Sequence, residues 1–490
     1  MLVPDRAQAR SSWLVGLVAL AGGLAVPMST PVASAPAPQR AAVALAGIPE
    51  AQAAADAAEQ VFWGAGVGGQ LAQQLARPDA DPVVSSFYAA RGQRPLWIVR
   101  DRVAPEAQQL IARLKDARAD GLDPADYRPD ELAAVVRAAR GGRAEDLAAA
   151  ELALSGALAT WASDLHRPQP GASIMYSDGQ FRPPGLSREA TLAEVGQAAS
   201  LQAGLARVSR MNPLYTRLRA ARQAPPPGVD AALLRANLER ARALPVDLGR
   251  RFILVDIAAQ RLWMYEDGRP VDSMKVVVGK PSDPTPPMAA LVRYAVFRPY
   301  WNVPPDLVAH RMAPKVLKQG VGYFHGQRLQ ALSSWDDAKA KPLNPARINW
   351  RAVAAGKMTL RVRQLPGPDN MMGQIKLMFP NPKGVYLHDS PLRSFFAGQE
   401  RLASAGCVRL EDALRLGRWL LGDAAVQQGV QPGPPETKTY LAAPVPVYLA
   451  YMTAVPTGQG LSVRRDIYNR DAALIAQLDR AAHGPQLASR

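Results

Sequence analysis

Apolar residues recur at three- and four-residue intervals from Glu106 to Ala243, and at alternate positions from Arg251 onward. The first spacing puts them on one stripe of a helix, the second on one face of a strand. Turn residues divide the helical part into Glu106–Arg118, Glu131–Arg140, Glu145–Leu165, Ser200–Arg222 and Leu233–Ala243. Asp120-Gly121-Leu122-Asp123-Pro124 suits the end of one helix and the start of the next. Asn212-Pro213 interrupts the fourth segment, because the residue before a proline avoids helical dihedrals. In the last helix, LLRANLERARA, the Glu and Arg residues are expected on the solvent side. The proline run 225–227 reads as a semi-rigid linker.

Strand-type alternation covers Arg251–Ile257, Arg261–Tyr265, Ser273–Gly279 and Leu291–Phe297, with Asp267-Gly268 as a hairpin turn. From Tyr300 to about Pro380 the pattern breaks into one helical stretch, 305–319, and a Trp/Pro/Gly-rich remainder. A long segment of that kind inside a β domain reads as an inserted lid or binding loop. Val385–Leu387 reads as a strand, Ser404–Cys407 as a tight loop and Glu411–Leu421 as a helix. Val445–Tyr451 and Leu461–Tyr468 are expected to close the sheet, with a terminal helix over Ala472–Ala482. The expected fold class is α+β multidomain, a helical N-terminal domain followed by a mostly-β domain. The boundaries are 1–44 for a signal and linker, 45–82 for a low-complexity, partly helical linker, and 83–245 for the helical domain. The β domain spans 246–470, with its insertion at about 300–380, and 471–490 forms the tail.

Charge and the N-terminus add a compartment. The net charge is +16. No helix-turn-helix, zinc-finger or RNA-binding pattern accompanies it, so it reads as a general cationic surface: no nucleic-acid partner is expected, and peripheral contact with an anionic membrane surface stays open. Arg6 and Arg10 precede the 14-residue apolar run Trp13–Val26, shorter than the ~20 residues of a membrane span. Ala33-Ser34-Ala35 and Ala42-Val43-Ala44 offer small-residue cleavage sites. These features predict an export signal, cleaved or kept as an anchor, and a periplasmic body.

An exported chain normally uses cysteines in pairs. This one has a single cysteine, Cys407, which therefore reads as a working thiol. His388, one of five histidines, lies 407 − 388 = 19 positions earlier, at the end of a predicted strand. A thiol next to an imidazole and a helix N-terminus can ionise, and Gly406 lets neighbouring N–H groups turn toward a developing oxyanion. His310 and His325 lack Cys or acidic partners at ligand spacing, so no metal site is expected, and no cofactor. Gly64, Gly66 and Gly69 match a dinucleotide-binding spacing but follow no strand, which excludes that reading.

The string Ser404-x-Gly406-Cys407-x-Arg409, after His388 and a variable loop, resembles the signature of the L,D-transpeptidases with a YkuD-type catalytic domain. Ala405 stands where many members have a second histidine, as in a large-insert subgroup. FYAARGQRPLW and DGLDPADY resemble that subgroup's N-terminal scaffold. The resemblance covers most of the chain after residue 83 and is strongest from 250 to 470, but Arg222–Leu233 leaves no room for the peptidoglycan-binding module that relatives often insert there. It implies a mostly-β, sandwich-like catalytic domain with a capping insertion over the active site. Cys407 would be the nucleophile and His388 its base. The N–H groups of Gly406 and Cys407 would hold the oxyanion, and Ser404 would orient the loop or hydrogen-bond near the thiol. Arg409 would meet a substrate carboxylate or brace the loop. Apart from the resemblance, the two-residue period puts Tyr386 on the face of His388, where it is expected to line the pocket, and Trp301, Tyr323, Trp335 and Trp350 are candidates to line a sugar or peptide groove. The implied partners are peptidoglycan stem peptides and other cell-wall synthesis proteins. The implied reaction releases D-alanine and leaves a 3→3 cross-link; water or a lipoprotein amine as acceptor would give a carboxypeptidase or a protein-attaching enzyme. A non-catalytic wall-binding scaffold is the alternative of a different class.

Overall fold

The computed structural model describes residues 66–181, 183–457 and 460–483. The expected export segment and Gly64 lie outside them. Among the described residues no helix is long and apolar enough to cross a membrane.

The first half is helical: α1 (Val67–Leu75), α2 (Pro82–Ala90), α3 (Glu106–Lys115), α4 (Pro129–Ala138), α5 (Ala144–Leu165), α6 (Arg188–Gly196), α7 (Leu201–Val208), α8 (Pro213–Gln223) and α9 (Ala231–Arg242). Asn212 ends the preceding segment and caps α8, its side chain accepting from the Tyr215 N–H at 2.9 Å. The charges of α9 are not on the solvent side: Glu239, Arg240 and Arg242 are buried. Arg242 donates to the Leu165 and Asp120 carbonyls and to Glu239 at 3.0 Å, with its guanidinium 5.2 Å from the Tyr215 ring. Helical spacing alone cannot tell a polar stripe that meets water from one that meets buried acceptors. Removing one partner of such a cluster costs about 3–5 kcal/mol.

The second half contains β1 (Arg251–Asp256), β2 (Arg261–Glu266), β3 (Arg269–Gly279), β4 (Met288–Phe297), β5 (Trp301–Val303), β6 (Leu329–Leu332), β7 (Pro342–Leu343), β8 (Arg361–Gln364), β9 (Ile375–Met378), β10 (Leu387–His388), β11 (Leu402–Ser404), β12 (Val408–Leu410), β13 (Thr437–Ala450), β14 (Ala454–Thr457) and β15 (Gly460–Val463). The main sheet runs β9-β10-β12-β3-β2-β1-β13-β4, and β9 also pairs with β4, so the path closes on itself. The segment expected to close the sheet, Leu461–Tyr468, instead contributes β15 to a separate ribbon with β14. The insertion is shorter than expected. It has its own sheet, β7-β6-β8-β5, ending at Gln364, and a separate core that includes Val308, Phe324 and Val362. Ile375–Met378 belongs to the closed sheet.

Ile253, Val255, Leu262, Met264, Val276, Leu387 and Val408 fill the interior of that sheet. The intervening residues of β1, β2 and β13 are also apolar, because the helical domain covers that outer face. Phe252 stacks on Tyr265 at 4.5 Å and meets Tyr448 at 5.8 Å, in one cluster with Leu214, Leu218 and Leu238. A short strand of the helical half, Met175–Tyr176, pairs with the start of β4, and Arg293 clasps the Asp178 carboxylate at 2.7–3.0 Å. The helical domain thus backs one side of the ring. β10 and β12 lie across it, four and three steps along the strand order from β1.

Candidate active site

β10 and β12 are parallel neighbours, with Leu387 opposite Val408 and His388 opposite Arg409. Leu387, Val408 and Leu410 point into the core. The two-residue period therefore turns Tyr386, His388, Cys407 and Arg409 to the outer face together. Tyr386 and Cys407 form one row, His388 and Arg409 the next. The Tyr386 and His388 rings meet edge to face at 5.7 Å. His388 and Cys407 are diagonal neighbours on this grid, and no hydrogen bond joins them.

The loop that carries the thiol is fastened on both sides. Ser404 Oγ donates to the Cys407 carbonyl at 2.5 Å and accepts from the Gly406 N–H at 3.2 Å. Gly406 has φ of 104°, a left-handed conformation that favours glycine. Its carbonyl accepts from Thr285 Oγ1 at 2.9 Å, and the same hydroxyl accepts from the Gly279 N–H at 2.9 Å. The Tyr468 hydroxyl donates to the Gly279 carbonyl at 2.7 Å and accepts from the Thr285 N–H at 3.3 Å. The Cys407 thiol lies 3.7 Å from the Gly384 carbonyl.

His388 is 2% exposed, and its Nδ1 is 2.6 Å from the backbone carbonyl of Asp389. That contact requires the proton on Nδ1 and leaves Nε2 as a free acceptor. The Asp389 carboxylate is turned away, accepting from the Gln374 N–H at 2.9 Å and from Arg393 at 3.0 Å. Across the sheet His388 sits between two cations in register, Arg409 on β12 and Lys376 on β9. Burial first, then the Arg409 charge, then Lys376, push the imidazole down to about 3, against its bond to Asp389. Burial also pushes the Cys407 thiol up. Hydrogen bonds from Tyr386 and the charges of Arg409 and Lys376 oppose that rise without cancelling it. The resting pair is a neutral imidazole and a neutral thiol.

Three expectations change here. No helix starts at Cys407: β12 follows it, and the next helix, α10 (Ala413–Leu421), is capped by Asp412. Hydrogen bonds from Tyr386 and then the cations Arg409 and Lys376, not a helix N-terminus, oppose the thiol's desolvation. The Gly406 N–H is occupied by Ser404, whereas the N–H groups of Ala405 and Cys407 have no acceptor among the described residues. Trp301 packs against the insertion's own core, as do Tyr323 and Trp350, while Trp335 is exposed. Trp301, Tyr323 and Trp350 pack within the insertion; Trp335 does not.

Sequence reasoning missed Lys376, Glu436 and Thr285. Lys376 is 8% exposed and its Nζ is 3.3 Å from Glu436. The one readable signal was a lone lysine inside the apolar run Ile375–Met378. Arg409 has no carboxylate partner among the described residues. Its guanidinium lies 5.4 Å from the Phe395 ring, and a fork of that kind can take a ligand carboxylate. Among the described residues no group of His, Cys, Asp and Glu is arranged to hold a metal ion.

Comparison with known proteins divides the chain the same way. Residues 82–221 match the model of a Scaffold domain, and residues 250–447 match the model of the L,D-transpeptidase catalytic domain. A Haemophilus influenzae protein described as a candidate L,D-transpeptidase is 28% identical over 403 residues, covering 80% of this chain and 78% of that protein. A solved L,D-transpeptidase from Mycobacterium smegmatis is 13% identical, with 41% of this chain and 58% of that one aligned and a TM-score of 0.20. A cysteine-to-serine mutant of the Enterococcus faecium L,D-transpeptidase is 14% identical, with 42% and 52% aligned and a TM-score of 0.18. This chain therefore spans little more than half of either solved chain, and no residue assignment rests on those superpositions.

Proposed function

The chain belongs to the L,D-transpeptidase family, with a YkuD catalytic domain behind an N-terminal scaffold domain, and we propose that it transfers acyl groups between peptidoglycan stem peptides through a thioester on Cys407. The observation that carries this reading is the four-residue grid of Tyr386, His388, Cys407 and Arg409 on and beside two adjacent parallel strands. The neutral His388 Nε2 takes the thiol proton as Cys407 Sγ attacks the donor carbonyl. The Cys407 N–H supports the oxyanion. The C–N bond to the leaving residue then breaks, the nitrogen takes the proton from His388, and D-alanine departs from a tetrapeptide donor. An amine of a second stem, deprotonated by His388, attacks the thioester, restores the thiol and leaves a 3→3 cross-link. Arg409, lacking an internal carboxylate, binds a donor carboxylate, and Tyr386 holds the thiolate through its N–H and hydroxyl. We place the protein in the periplasm, on the strength of its N-terminal apolar run and basic flank.

The test is intact-mass spectrometry with a disaccharide-tetrapeptide donor or a carbapenem-type acylating agent. Wild type should gain one adduct, and Cys407→Ala none. D-alanine release at the wild-type rate by Cys407→Ala would refute the assignment. Product analysis separates the acceptors: a stem amine gives a cross-linked dimer, water a tripeptide.

A further inference from the structure

The insertion enters and leaves the catalytic domain through two roots that are fastened together and connect to the catalytic face. Asn370 Nδ2 donates to the carbonyls of Pro299, Gln364 and Leu365 at 3.0–3.2 Å, stapling the two roots together. Beside this staple the Tyr300 N–H donates to the Glu436 carboxylate at 2.6 Å. Glu436 is the counter-ion of Lys376, with both oxygens at 3.3–3.4 Å from Nζ. Its backbone is held in a left-handed conformation, φ 56°, by an N–H bond to the Arg298 carbonyl. Arg298 in turn gathers the Gly429, Gln431 and Pro434 carbonyls and the Thr437 hydroxyl. Lys376 faces the site: it is paired in register with His388, and its ammonium is 5.9 Å from the Tyr386 ring.

We propose that Lys376 is a positioning residue of the catalytic face, and that Glu436 ties its charge to the root of the capping insertion. A buried ammonium on a strand between Ile375 and Leu377 is costly unless it is paired and used. Glu436 supplies one partner on one side, which leaves the ammonium free to act on the other. The charged and titratable groups around the imidazole are Lys376 on β9, Arg409 and Cys407 on or beside β12, and Tyr386 just before β10. Asp389 is turned outward and Glu436 stands behind Lys376. The net charge next to the thiol therefore depends on how far Glu436 offsets Lys376. A movement of the insertion that draws Tyr300 away from Glu436 changes that offset.

The inference rests on Cys407 being the nucleophile, but its test reads the thiol and not peptide turnover, so the two can fail separately. The sole thiol of the full chain is alkylated with iodoacetamide across pH and followed by intact mass. Lys376→Met removes a cation and should slow alkylation at pH 8 about three- to tenfold, while Glu436→Gln removes an anion and should speed it by a similar factor. Lys376→Arg should restore the wild-type rate to within about twofold of wild type. The Tyr300 amide should exchange hydrogen faster in Glu436→Ala. Opposite shifts from the two neutralising substitutions are what a purely structural role would not produce. Shifts in the same direction, no shift in either variant, or unchanged Tyr300 exchange would overturn the proposal. Thermal melting identifies a variant that has merely unfolded, and the charge effect is then read from the other.

Discussion

A histidine held neutral in the fold must weaken the protein in acid, and His388 gives the size of that effect. Its ordinary value of 6.5 is pushed down to about 3, chiefly by burial and the Arg409 charge. The folded state therefore resists protonation that the unfolded chain accepts. The stability involved is fully present above pH 6.5 and is lost as the pH falls toward 3. A shift of that size corresponds to about 5 kcal/mol in full, and to about 3 kcal/mol between pH 7 and pH 4, where the folded imidazole is still largely neutral. The perturbation is His388→Gln, which keeps a polar side chain but cannot titrate. The assay is urea denaturation of both proteins at pH 7 and pH 4, following the catalytic-domain transition. The carboxylates contribute equally to both chains and cancel in the double difference. Wild type should lose about 3 kcal/mol more than the variant over this interval. Parallel losses, within about 0.5 kcal/mol, would show that the imidazole is charged or solvated in the folded protein. The neutral Nε2 on which proton transfer from Cys407 depends would then be gone as well.

Thr285→Val should cost about 1–3 kcal/mol, because one buried hydroxyl serves both the Gly406 carbonyl and the Gly279 N–H. Acylation of Cys407 should slow while a folded protein remains, and an unchanged rate would show that the thiol loop does not need this bracket. Replacing residues 301–364 by a short linker should leave the catalytic sheet folded, since the insertion has its own core and its roots are stapled by Asn370. Circular dichroism and melting test the fold, and donor KM should change more than the iodoacetamide rate. Complete loss of the melting transition would place the insertion in the folding core. N-terminal sequencing of protein from a periplasmic extract should begin after Ala35 or Ala44 if the signal is cleaved. Recovery of the full-length chain only from the cytoplasm would refute export.

The order of domains and the switch of period near residue 250 were legible because each is a local or one-dimensional signal. Alternation in the strand ending at His388 also says which side chains share a face, which is why Tyr386 could be named, whereas Arg409 was named from the Ser-x-Gly-Cys-x-Arg string. What escaped is what depends on neighbours distant in sequence. The buried charges of α9 look like a solvent stripe until Asp120 and Leu165 are brought against them. Lys376 reads as an interruption of an apolar run until β9 pairs with β10 and sets it beside His388. Thr285 is one polar residue in a proline-rich turn until the Cys407 loop folds over it. The thiol's environment was misread for the same reason: sequence distance suggested a helix start, whereas strand pairing supplies Arg409 and Lys376 instead. The chain's local patterns determine which elements form and which faces are apolar; only the closing of the sheet decides which charges meet, because electrostatic contacts depend on spatial neighbours that no sequence period encodes.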